Sequence, residues 1–341
     1  MTIKEYADII GKSQRYVTKL CNEGKIPGAC KEGKSWVIPA KKDKAKGLPI
    51  GLSDFKTVVD EHYYVDKTLL IKDILDNNNL VTLFTRPRRF GKSLNMDMLK
   101  CFFEEDDGEN ARYFSSLNIA SYPECMAKQG RFPVIFLSFK GAKFSSWELT
   151  YEKLRQIIRM ETRRLDRRYG LLEDPYFKAI EDGSASFVEV ASFLEYASAY
   201  LYEKTNKKVI IIVDEYDTPI STSYLNGFYE KTIELLRNLF SGGFKDNGAL
   251  QYGFLTGILR IAKESIFTGL NNFKCYGVSD ALYADKFGFT GSDVDQILTD
   301  ADLLHKKPEF KEWYDGYRFG DGTEIYCPWD ILAHVSKLQK I

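Results

Sequence analysis

The chain has 341 residues, 44% of them hydrophobic, and its 48 basic and 48 acidic side chains cancel to a formal net charge of zero. That length accommodates one sizeable α/β domain plus something small, or two medium domains, with enough Phe and Tyr for a well-filled core. The longest aliphatic run, 209–213, is too short to span a bilayer and no secretory signal opens the chain, while six scattered cysteines without a C-x-x-C pair exclude a zinc framework and fit reduced thiols in the cytoplasm.

The charge is unevenly spread. Residues 1–46 hold eleven basic against five acidic side chains, a net of +6, which leaves 37 against 43 in the remainder, a net of −6. A basic head on a mildly acidic body points to an anionic partner for the head. There, Thr2 and Glu5 make the pattern of a capping box opening a short helix with Ile3, Tyr6, Ala7 and Ile10 on one face. Gly11 ends it, and Ser13 caps a second helix that turns Val17, Leu20 and Cys21 inward. Two short helices about a glycine turn match a helix-turn-helix. The outer face of the second carries Gln14, Arg15, Thr18 and Lys19, side chains that contact base edges and phosphates. Residues 26–39, with Lys31 and Lys34, read as a small β-wing. DNA is the partner this predicts; a helical hairpin for protein docking is the alternative. Residues 41–47 (KKDKAKG) form a charged linker.

From residue 48 onward, apolar runs alternate with amphipathic stretches. Candidate strands are 80–85 (LVTLFT), 133–139 (PVIFLSF), 209–213 (VIIIV) and 251–256 (QYGFLT), with a weaker one at 274–278. They are short, continuous and rich in β-branched residues, as expected of strands buried on both faces of a parallel sheet. Helical stretches at 93–104, 147–168, 187–204 and 227–240 lie between them, which implies right-handed crossovers and an α/β sheet flanked by helices. Residues 291–341 show no strong strand and read as a helical subdomain or lid.

The first strand runs into Thr85-Arg86-Pro87-Arg88-Arg89-Phe90-Gly91-Lys92-Ser93 and then directly into a helix. Strand, loop, Gly-Lys-Ser and helix make up the context of a phosphate-binding P-loop. Backbone N–H groups from Arg88, Arg89, Phe90, Gly91, Lys92, Ser93 and Leu94 would face the phosphates. Lys92 would reach the β- and γ-phosphates of ATP, and the Ser93 hydroxyl would ligate Mg²⁺. The glycine that usually opens the pattern is replaced by Arg86, and Pro87 lacks an N–H.

The strand at 209–213 ends in Asp214 and Glu215, at the sheet edge where ligands bind. Asp214 would hold Mg²⁺ and Glu215 would polarise the attacking water. Because 133–139 intervenes, the order fits P-loop ATPases whose acidic strand is not the immediate successor of the first. In those the next strand carries a residue that senses the γ-phosphate, here Thr256. Arg260 could neutralise charge on the transferred phosphoryl group, with a plain ion pair as the alternative.

Two resemblances follow from these residues. Residues 1–40 resemble MerR/excisionase-type helix-turn-helix modules through TIKEYADIIGKSQRYVTKLCNEGKIPGACKEGKSWVIP. Residues 48 to about 335 resemble the bacterial AAA-ATPase-like family through LPIGLSDFKTVV, YYVDKTLLIKDIL, VTLFTRPRRFGKSLNMDMLKCFF, VIIIVDEYDTPI, GFLTGILRIAKESIFTGLNNF and PWDIL, in that order. The loop R-P-R-R-F-G-K-S is that family's own form. The resemblance implies ATP binding at Lys92 and Ser93 and Mg²⁺ chemistry near Asp214 and Glu215. It also draws attention to Tyr64, Asp66, Lys67 and Thr68, for which packing and capping are the expected roles of the first two. That family usually carries a C-terminal PD-(D/E)XK nuclease-like domain, for which the sequence after PWDIL leaves no room; the expectation is that this domain is lost, truncated or acts in trans, and nuclease activity is not assigned to this chain. The expected organisation is a helix-turn-helix module at 1–40, a linker at 41–47, a P-loop domain at 48–290 and a helical lid at 291–341. The expected function is an ATPase that binds DNA, with a nucleotide-gated switch, an interaction protein or a homo-oligomer as the other possibilities.

Overall fold

The computed structural model describes residues 3–4, 7, 13–22, 30–32, 35–37, 46–260, 273–314 and 316–339. The chain divides into two compact units, Met1–Gly47 and Leu48–Ile341.

In the first unit, α1 (Gln14–Asn22) is followed by β1 (Cys30–Glu32) and β2 (Ser35–Val37). Ser13 Oγ accepts the Tyr16 N–H at 3.3 Å, supplying an acceptor for one of the free donors of the first turn. Val17 and Cys21, four apart, share the inner face with buried Ala7, and Ile3, Leu20 and Trp36 pack against them. β1 and β2 pair antiparallel with Lys31 opposite Trp36, so the expected wing is a two-stranded ribbon. The capping box at Thr2 and Glu5, the turn at Gly11 and the side chain of Lys34 lie outside the described residues.

In the second unit, α2 (Phe55–Glu61) and α3 (Leu69–Asn77) lead into β3 (Val81–Thr85) and α4 (Lys92–Phe103). Then come β4 (Val134–Ser138), α5 (Trp147–Tyr169), α6 (Phe187–Ala191), α7 (Phe193–Thr205) and β5 (Val209–Asp214). α8 (Thr218–Asn226), α9 (Tyr229–Phe244), β6 (Leu250–Gly257) and β7 (Phe273–Tyr276) complete the central layer. The five strands form one parallel sheet in the order β4-β5-β6-β3-β7. Period-two alternation explains why the inner strands carry apolar residues on both faces. Val209, Ile211 and Val213 of β5 enter one core with Leu154, Leu201 and Leu236, whereas Ile210 and Ile212 enter the other with Ile74, Leu99 and Phe103. Each such side chain contributes about 1.5–3 kcal/mol on burial. The helix expected at 187–204 is interrupted at Ser192, whose N–H caps α6 by donating to Val188 O and Glu189 O.

The end of the chain departs from expectation. Besides α10 (Gly291–Asp300) and α11 (Pro328–Leu338), it holds β9 (Tyr317–Phe319) and β10 (Thr323–Tyr326), which pair antiparallel and add to β8 (Phe289–Thr290). Strands of three or four residues are too short to show a period. Here the hairpin is set by its Gly320-Asp321-Gly322 turn, in which both glycines have positive φ. A Cβ on Gly320 would also lie 2.5 Å from Ala281 Cα. Phe319 and Ile325 from this sheet bury Phe90 of the P-loop, so the last segment is built into the loop's support. Among the described residues, no helix is long and apolar enough to cross a membrane.

Candidate nucleotide-binding site

β6 lies between β3 and β5 in the sheet, and this places its C-terminal end between the P-loop and the acidic pair. Arg86 N–H continues the ladder onto Gly257 O at 3.1 Å. The loop then turns through two left-handed residues, Arg89 (φ 69°) and Gly91 (φ 78°), before α4 begins at Lys92. Nothing lies within 4 Å of a Cβ built on Gly91, so its backbone conformation, not space, favours glycine there. Gly91 to Asn95 line a cleft of about 330 Å³, at the helix end whose first N–H groups have no intrahelical acceptor.

Lys92 is buried, and its Nζ donates to the carbonyls of Arg86 and Pro87 at 3.0 and 2.8 Å. Burial lowers its pKa, while Glu215, Asp214 and Asp217 oppose the shift. Ser93 Oγ donates to Asp214 Oδ2 at 2.7 Å, joining the start of α4 to the end of β5. Burial raises the pKa of Asp214, and the hydroxyls of Thr256 and Ser93 hold the rise back.

Thr256 is fully buried, donating to Asp214 Oδ1 at 2.6 Å and accepting the Glu215 N–H at 3.2 Å. Its hydroxyl therefore orients the two acids and is spent inside the sheet. Glu215 adopts a left-handed backbone (φ 54°) that swings its side chain onto the cleft wall, where Thr218 Oγ1 donates to Oε2 at 3.0 Å. Arg88 and Arg89 are exposed and line the cleft with Leu94, and Phe90 is buried beneath. Arg260 is exposed and is not among the cleft-lining residues; its charge opposes the burial-driven rise of the Cys275 thiol.

A family model for predicted AAA-ATPases matches residues 49–267. The chain belongs to this predicted AAA-ATPase family. A helix-turn-helix domain model matches residues 1–42, and the two together fit ATP binding and DNA binding in general. A relative in Azotobacter chroococcum mcd 1, described as an uncharacterized protein in the vnfD 5'region, is 30% identical over 296 residues. The match covers 86% of this chain and 52% of the relative, so the chain spans about half the length of that protein.

In this AAA-ATPase-family chain the Arg86 side chain points away from the cleft. Its guanidinium is completely buried and donates to Thr85 O (2.9 Å), Tyr276 O (2.9 Å) and Tyr283 O (3.1 Å). It also packs on the Phe287 and Phe319 rings. Tyr64 is half-buried and packs edge-on to Phe55. Asp66 accepts the N–H groups of Thr68 at 2.8 Å and Asn118 at 2.6 Å. Both therefore have the packing and capping roles expected of them. Lys67 pairs with Asp293 at 2.6 Å, tying this segment to α10.

Four parts of the site escaped sequence reasoning. Part of the cleft lining is apolar, with Ile50 and Leu52 near the start of the unit and Trp329 and Leu332 on α11. Arg89 stacks over Trp329 at 4.0 Å. Asp217 is buried and accepts the N–H groups of Ile258 and Leu259 at 2.8 and 2.9 Å, fixing the segment after β6. Lys140 and Lys143, after β4, also line the cleft. A basic pair at the C-terminal end of a predicted parallel strand was the available signal for those two.

In the first unit, Gln14, Arg15 and Lys19 are exposed on α1 and Thr18 is half-buried, its Oγ1 donating to Gln14 O at 2.8 Å. One shallow surface is lined by these four with Ile3 and Asn22. Lys31 lies on β1.

Proposed function

We propose that the chain binds ATP with Mg²⁺ in this cleft and hydrolyses it, and that its N-terminal unit binds DNA. The observation that carries the nucleotide reading is the 2.7 Å contact between Ser93 Oγ and Asp214 Oδ2, beside the buried Lys92. One hydroxyl and one carboxylate are hard oxygen donors, the partial set that suits Mg²⁺ when phosphates and water complete its shell. Among the described residues, no cluster of three or more His, Cys, Asp or Glu could hold a metal alone. Ser93 and Asp214 would therefore hold an ion that comes with the nucleotide. When bound, it neutralises charge on the phosphates.

The remaining work falls to the chain's own groups. Lys92 exchanges its two carbonyl acceptors for phosphate oxygens, a favourable trade for a buried ammonium. The free N–H groups of the first turn of α4 donate to the same phosphates. The base and sugar occupy the apolar side of the cleft, against Trp329 and Leu332. Glu215, held by Thr218, takes the proton of the attacking water.

Replacing Lys92 by Ala should weaken ATP binding by about 100-fold, or ~2.7 kcal/mol, measured by calorimetry on the full chain. Affinity within a few-fold of the parent would remove the P-loop assignment. The main functional test is ATP turnover with and without DNA, beside that variant. Stimulation by DNA supports an ATPase acting on a DNA-bound complex, and absence of turnover in both favours a nucleotide-gated switch.

For the DNA reading, the exposed cations on α1 are the support. Arg15→Ala and Lys19→Ala should each weaken binding to unrelated duplexes evenly and lower the salt-dependence slope by about one. Salt-insensitive binding would point instead to a protein partner on this face.

A further inference from the structure

We infer that Lys140 and Lys143 form the subsite for the terminal phosphate and set the preference for nucleoside triphosphate over diphosphate. The inference rests on the nucleotide reading above and adds residues to it. Both lysines lie on the turn after β4, the strand at the sheet edge next to β5. The turn is closed by Ala142 N–H onto Phe139 O at 2.9 Å and Lys143 N–H onto Gly141 O at 3.0 Å. It is anchored to the acidic strand itself, because Phe139 N–H donates to Asp214 O at 2.9 Å. Ser138 Oγ lies 3.4 Å from Asp214 Oδ2.

The position of the turn is therefore coupled to that of Asp214. Gly141 sits between the two lysines, and a Cβ there would come within 3.2 Å of Lys153 Cε on α5. The turn lies close against that helix, and its two flanking lysines are exposed. Both line the same cleft as Lys92 and Glu215.

Charge gives these positions their meaning. On the P-loop side of the cleft are Lys92, Arg88 and Arg89, and Glu215 also lines it, next to the buried Asp214. A terminal phosphate seated at Lys92 would lie beside Asp214 and Glu215, whose charges repel it. Lys140 and Lys143 supply opposing positive charge from the β4–β5 side. A diphosphate, which lacks the terminal group, would gain little from them, so the pair acts on discrimination more than on nucleotide affinity as a whole.

The test is equilibrium binding of ADP and of a non-hydrolysable ATP analogue, with Mg²⁺, to the full chain and to K140A/K143A. The expected result is a loss of at least about tenfold for the triphosphate analogue and less than about twofold for ADP, with K140R/K143R restoring the preference. Equal losses for both nucleotides, or none for either, would overturn the inference while leaving the cleft as the nucleotide site. A parent chain that binds neither nucleotide would remove the site reading and this inference together. A pair serving a nucleic-acid backbone instead would show its loss in DNA binding with discrimination intact, which also overturns it.

Discussion

Glu215→Gln is expected to slow ATP turnover by about 10²–10⁴-fold while ATP affinity stays within about threefold of the parent. The substitution keeps the shape of the side chain and its ability to accept from Thr218 Oγ1, and removes its negative charge together with the capacity to take a proton. Asp214 cannot substitute, because one of its oxygens meets Ser93 and the other Thr256. Single-turnover kinetics beside calorimetric binding separates the two quantities. Unchanged turnover would move the base elsewhere, and lost affinity would mean that Glu215 acts on the nucleotide in the ground state.

Arg86→Gly restores the glycine of the commoner P-loop pattern, yet it should cost about 3–5 kcal/mol of stability and lower Tm by about 10 °C. Three carbonyls, Thr85 O, Tyr276 O and Tyr283 O, would lose their donor inside the fold, at about 1–3 kcal/mol each before relaxation. A cavity would also open between Phe287 and Phe319. Relief of a desolvated charge works the other way. Burial brings the pKa of Arg86 down to about 10, so the guanidinium is still charged at neutral pH and that relief is real. It is outweighed because all three acceptors are backbone groups with fixed positions. Arg86→Met, which keeps the bulk and loses the donors, should fall between parent and Gly variant in thermal unfolding. Equal Tm for all three would show that the guanidinium supports nothing.

These two residues mark how far the sequence could be read. Glu215 follows an aliphatic strand in a contiguous pattern, and its place on the cleft wall agrees with that pattern. Arg86 looked like a departure from a binding motif, and the fold makes it a support for the loop. The difference is that a motif is visible when its chemistry depends on neighbours in the chain. The acceptors of Arg86 come mainly from Tyr276 and Tyr283, far along the chain. Thr256 shows the same division. Its strand was legible, but its hydroxyl points to Asp214 because β6 sits beside β5.

By itself, the sequence determined the parallel sheet, the P-loop, the acidic pair and the basic helix α1, because each depends on local periodicity or short spacing. Only the tertiary structure decided the apolar wall of the cleft, the small antiparallel sheet under Phe90 and the inward turn of the Arg86 side chain. The wall joins Ile50 and Leu52 to Trp329 and Leu332, ordinary apolar residues at opposite ends of the second unit. Hydrophobic burial is non-directional, so nothing in those residues announces which others they will meet.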